Sequence, residues 1–119
     1  MSDAITYGTV ALECPDASAL AGFYATLTGA KVTSSDPEWA TVKGDGWRLD
    51  FQTAPDHTPP AWPDPASSMQ MHLDFDVEDM DAAEARALAA GATKSPHQPG
   101  TTFRVYIDPA GHPFCLCIG

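Results

Sequence analysis

Basic residues are scarce in this chain. Six Lys and Arg stand against sixteen Asp and Glu among 119 residues, a formal net charge of −10. A surface so acidic repels phosphate backbones and anionic headgroups, so neither nucleic acid nor membrane is expected as a partner. Cysteine is also scarce. The odd count of three argues against a disulfide framework, and Cys115 and Cys117, two apart, have the spacing of neither a zinc knuckle nor a thioredoxin motif. No apolar run approaches the roughly 20 residues of a membrane span. Met1 to Val10 carries Asp3, no basic residue and no apolar h-region, so a secretory signal is not expected. Serine–histidine–acid constellations, phosphate loops and nucleotide fingerprints are missing as well. These absences lead to the expectation of a cytoplasmic protein. A hydrophobic content of 44% suits a folded globule, and the length suits one domain over residues 1–119.

What the chain does have is a near-repeat of itself. Val10-Ala11-Leu12-Glu13-Cys14-Pro15-Asp16, a helix-like stretch and Gly29 return about 63 residues later as Leu73-Asp74-Phe75-Asp76-Val77-Glu78-Asp79, a helix-like stretch and Gly91. Each copy ends in a glycine turn and a short strand, Gly46 to Gln52 and Gly111 to Cys117. Two such modules predict a pseudo-twofold arrangement with a ligand cleft lined by both. The first module spans about 4–54, the second about 69–119.

Within the first module, Ile5 to Cys14 reads as a strand by alternation. Asp16 is placed to cap a helix whose Leu20, Phe23, Tyr24 and Leu27 share one face, and Gly29 ends it. Lys31 to Ser34, Trp39 to Lys43 and Trp47 to Thr53 follow as strands, the last two joined by the turn Gly44-Asp45-Gly46. The second module starts at Met69, and Met71, Leu73, Phe75 and Val77 alternate with His72, Asp74 and Asp76 as a strand with two chemically distinct faces. Asp79 caps a helix bearing Met80, Ala83, Ala87 and Leu88 on one side, ended by Gly91. Thr102 to Asp108 and Phe114 to Ile118 are strands joined by Asp108-Pro109-Ala110-Gly111. Between the modules, about 55–68, Pro55, Pro59, Pro60, Pro63 and Pro65 exclude helix and sheet interior, and Trp62 gives the loop something to pack. The order βαβββ, loop, βαβββ predicts an α+β fold: a curled mixed sheet around a cleft, with helices on its outer face.

The chain resembles the vicinal oxygen chelate superfamily, which includes glyoxalase I, extradiol dioxygenases and the fosfomycin and bleomycin resistance proteins. The resemblance rests on Cys14-Pro15-Asp16 leading to Phe23-Tyr24 and Gly29, on the His72 to Asp79 strand and cap, and on Asp108-Pro109-Ala110-Gly111 before the last strand. The proline–tryptophan loop, His72-Leu73-Asp74 and the run from Asp108 to Cys115 are similar to its actinobacterial glyoxalase-like group. In the superfamily's metalloenzymes each module supplies two metal ligands, one from its first and one from its last strand. The matching positions here are Thr9 and His72, each seven residues before a cap aspartate, and Asp50 and Cys115, each four after a turn glycine. Thr9 is a poor ligand, Cys115 stands where glutamate is expected, and Asp50 is one methylene shorter than glutamate. Glyoxalase I activity is therefore not expected. The resemblance also implies a homodimer.

Two functions follow as expectations. In the first, no cofactor is bound, and the cleft holds a small organic ligand contacted by Thr9, Asp50, Gln52, Trp62, His72 and Cys115. In the second, His72 with Asp50 or Cys115 holds a divalent metal (Zn, Fe, Mn or Ni), and the chain is a lyase, isomerase or dioxygenase. His72 and Asp74 are the candidate catalytic pair, since carboxylates crowded with histidine on one face suit a general base or a cationic ligand. Against these stand plainer roles. His72 could be a hydrogen-bonded cleft residue, Cys115 a small apolar packing group, Phe51 a core residue and His112 part of a turn.

Overall fold

The computed structural model describes residues 4–118. The chain forms two compact units, the first ending at Pro55 and the second beginning at Asp56. Each carries a helix on a four-stranded mixed sheet, so the architecture is α+β with two βαβββ modules.

The first unit comprises β1 (Val10–Cys14), α1 (Ala17–Thr28), β2 (Lys31–Ser35), β3 (Trp39–Gly44) and β4 (Trp47–Thr53), with sheet order β1-β4-β3-β2. The β1–β4 pair is parallel and the others antiparallel. Asp16 caps α1, its carboxylate accepting from the Ser18 and Ala19 amides at 3.1 and 3.3 Å. Gly29 closes the helix at φ 78°, a left-handed conformation that costs glycine little, with its amide on Ala25 O at 2.9 Å. The helical spacing of Leu20, Phe23, Tyr24 and Leu27 puts all four in the core. Tyr24 stacks on Phe51 of β4 at 5.6 Å between ring centroids, above buried Ala40, Val42 and Leu49. Strand alternation then turns Thr41, Arg48, Asp50 and Gln52 to the face away from α1. The strand expected from Ile5 starts only at Val10. Its ladder with β4 begins at Val10–Leu49, and Ile5 and Tyr7 lie exposed outside it.

The second unit comprises β5 (Leu73–Asp76), α2 (Met80–Ala90), β6 (Thr93–Lys94), β7 (Phe103–Ile107) and β8 (Pro113–Cys117), in sheet order β5-β8-β7-β6. Here β5 is parallel to β8, and the rest is antiparallel. Asp79 caps α2 through the Ala82 amide at 3.1 Å. Met80 and Ala87 are buried as expected, whereas Leu88 is 44% exposed. Polar bonds join α2 to the sheet as well. Tyr106 Oη donates to Glu84 Oε1 at 2.8 Å, Lys94 Nζ lies 2.8 Å from the same oxygen, and Arg104 bridges Asp81 and Glu84 at 3.1 and 3.3 Å.

The proline-rich segment is ordered against this second unit. A His57 ring nitrogen pairs with Ala110 O at 3.0 Å, Pro59 lies over Gly111, and Trp62 meets His97 edge-on at 5.1 Å. The turn beneath it is organised around Asp108. Buried Asp108 accepts from the Ala110 and His112 amides at 2.8 and 3.0 Å, and Gly111 takes φ 95°. His112 thus helps form the turn through its backbone.

Candidate functional site

The site is built by the β5–β8 register. Asp74 pairs with Cys115 and Asp76 with Cys117, so these four side chains share one face of the sheet. The other face carries Phe75, Phe114 and Tyr106, which meet in a ring cluster on the α2 side. The chemistry-bearing residues therefore lie on the face turned away from α2. His72, two residues before Asp74, joins them although it precedes the first residue of β5.

His72 Nε2 lies 3.2 Å from Asp74 Oδ1, both side chains being part-exposed. Cys115 beside them is 4% exposed, and its Sγ lies within 4.8 Å of an Asp74 carboxylate oxygen. Burial, then the charge of Asp74, pushes the Cys115 thiol from 9.0 up to about 12. Cys117 is pushed up too, by burial and then by Asp74 and Asp76. The electrostatic effect of this acidic face thus falls on the thiols, which stay protonated at neutral pH. One donor atom from each of His72, Asp74 and Cys115 falls within 4.8 Å of the others, the one such group of three metal-type donors found among the described residues. In charge and donor type the arrangement suits a cation or a hydrogen-bond donor.

Asp50 belongs to the first unit, 3% exposed, where Thr41 Oγ1 donates to it at 2.7 Å and Arg48 approaches at 3.5 Å. Thr9 Oγ1 bonds Val10 O at 3.1 Å and Arg48 O at 3.5 Å. Gln52 is exposed on β4 opposite Glu13. Trp62 packs on His97 in the proline-rich segment. Phe51 is core, and buried Cys14 has its thiol on Gln52 O at 3.6 Å. Asp74 as a third donor beside His72 and Cys115 went unread in the sequence. The signal was there, because alternation already puts Asp74 on the His72 face, and the parallel pairing of the module's first and last strands brings Cys115 across from it.

Residues 9–117 match the model of the glyoxalase-like domain. Solved structures share the fold at low identity. A glyoxalase/bleomycin resistance protein from Albidiferax ferrireducens T118 superimposes with TM-score 0.69 at 17% identity, over 95% of this chain and 98% of that one. A glyoxalase/bleomycin resistance protein/dioxygenase family enzyme from Burkholderia phytofirmans PsJN gives TM-score 0.71 at 21% identity, over 92% and 95%. The bleomycin-binding protein of bleomycin-producing Streptomyces verticillus, complexed with copper(II)-bleomycin, gives 0.61 at 17%, over 99% of both chains. No curated protein matches the sequence. With its two βαβββ modules and a family match running almost from end to end, the chain belongs to the glyoxalase-like domain family of the vicinal oxygen chelate superfamily.

Proposed function

We propose that this protein binds a small organic molecule, using the His72–Asp74 pair as the polar end of the ligand site. The observation that carries this is the pair itself: an imidazole and a carboxylate held 3.2 Å apart and open to solvent beside a buried thiol. A carboxylate so placed accepts from a cationic or N–H-bearing ligand, and the net charge of −10 favours that ligand sign. The fold shared with a bleomycin-binding protein supports a binding role. Thr9, Asp50, Gln52, Trp62 and Cys115 are further candidate contacts, to be tested by substitution. Homodimerisation, a cytoplasmic location and a place in the actinobacterial glyoxalase-like group belong to the same proposal.

A second reading is a metal-dependent lyase, isomerase or dioxygenase using His72 with Asp50 or Cys115. The convergence of a nitrogen, an oxygen and a sulfur donor favours it. A metal held there would polarise a substrate oxygen, and these side chains would position it. Thermal-shift titration with benzyltrimethylammonium and metal-free bleomycin, in a chelating buffer, tests the binding reading. A rise in melting temperature that Asp74→Asn removes supports it. No rise with either compound contradicts it.

A further inference from the structure

The residues that the superfamily pattern matches as ligands come from both modules, and the second unit by itself brings three metal-type donors together. We infer that His72, Asp74 and Cys115 form a three-donor site for a thiophilic divalent cation of the Zn²⁺ type, with Asp74, not Asp50, as its carboxylate. The inference deepens the metal reading of the same residues and does not rest on the organic-ligand reading.

Three observations carry it. The register pairing Asp74–Cys115 fixes two donors side by side on adjacent strands, so their approach is set by backbone pairing and not by rotamer choice alone. His72 is on the same face one alternation away, and its Nε2 already meets the Asp74 carboxylate at 3.2 Å. The three donor atoms lie within 4.8 Å of one another. Donors on one tetrahedral zinc ion, bonded at about 2.0–2.3 Å, stand roughly 3.3–3.8 Å apart, so the widest separation needs to close by at most about 1–1.5 Å. Part-exposed His72 and Asp74 are free to make that adjustment, while Cys115 stays fixed in the sheet. Asp50 is placed differently. Its carboxylate is buried and already engaged by Thr41 and Arg48.

The donor set also selects the cation. One sulfur and one imidazole favour Zn²⁺ or Co²⁺ over Mg²⁺ and Ca²⁺, which need oxygen ligands. On binding, Cys115 Sγ exchanges its proton for the metal and the proton leaves to solvent. Three protein donors leave the fourth position open to water or to a ligand oxygen.

Co²⁺ is the probe, added to the untagged full-length chain with no organic ligand present, so that failure here leaves the binding proposal standing. The expected result is one Co²⁺ per chain with tetrahedral visible bands and a near-ultraviolet thiolate-to-cobalt band. Cys115→Ser abolishes the near-ultraviolet band. His72→Ala and Asp74→Ala each weaken binding by more than about tenfold, the least expected when even an outer-shell partner is worth that much. Asp50→Asn leaves affinity unchanged. His72 and Asp74 are part-exposed, so their variants are expected to fold, and far-ultraviolet circular dichroism of each apo variant checks this. Absence of the thiolate band in the unmodified chain overturns the inference. So does an Asp50→Asn variant that loses Co²⁺ as strongly as Asp74→Ala.

Discussion

Asp74 and Cys115 are register partners on the parallel β5–β8 pair, and the Sγ of Cys115 lies within 4.8 Å of an Asp74 carboxylate oxygen. Burial and that neighbouring charge hold the thiol at about 12, against 9.0 for a free one. At pH 8 the thiolate is then about a thousandfold scarcer than in the unfolded chain. Iodoacetamide labelling followed by peptide mass spectrometry should show Cys115 protected in the native protein and modified quickly in urea. Asp74→Asn, which removes the charge, should speed native labelling at this position. Equal native and denatured rates would contradict the assignment.

Tyr106 links the sheet to α2 through Glu84, and its phenol is likewise pushed up to about 12, chiefly by burial and then by the Glu84 hydrogen bond. The native state therefore holds this proton more tightly than the unfolded chain does. The resulting stabilisation is complete below about pH 10 and is lost as pH rises towards about 12. Tyr106→Phe should cost about 1 kcal/mol at pH 7 through the lost hydrogen bond. It should also flatten the fall of stability between about pH 10 and 12. Urea midpoints at pH 7 and pH 11 read both effects.

Gly111 takes φ 95° with the Pro59 ring where a Cβ would sit. Gly111→Ala should destabilise the second unit by about 1–3 kcal/mol, from backbone strain and displacement of Pro59. Gly8→Ala is the control, with nothing within 4 Å of its Cβ position and an expected change within about 0.5 kcal/mol. Comparable losses in the two variants, by urea denaturation, would contradict the turn's role.

The elements most legible in the sequence were those with local signals. Asp16 and Gly29 bracket α1, Asp79 and Gly91 bracket α2, and the alternation around Leu49 and Phe51 marks β4. Strand ends were less legible, because a strand extends only as far as its partner. Ile5 to Thr9 has the composition of β structure, but the ladder starts at Val10. Leu88 shows the same limit on a helix, since its apolar side chain lies exposed on α2. His72 and Cys115 were legible as candidates by their spacing from Asp79 and Gly111. Asp74 was legible beside His72 by alternation, and that Cys115 stands with both became visible only once β5 was paired with β8.

The binding proposal puts the ligand on the His72–Asp74–Cys115 face. Titrating ¹⁵N-labelled protein with benzyltrimethylammonium, and separately with metal-free bleomycin, and following backbone amide shifts tests it most directly. Saturable shifts concentrated at residues 72–76 and 113–117 are expected for at least one of the two, lost in Asp74→Asn. Saturable binding that leaves both segments unmoved, or no binding of either compound, would contradict it.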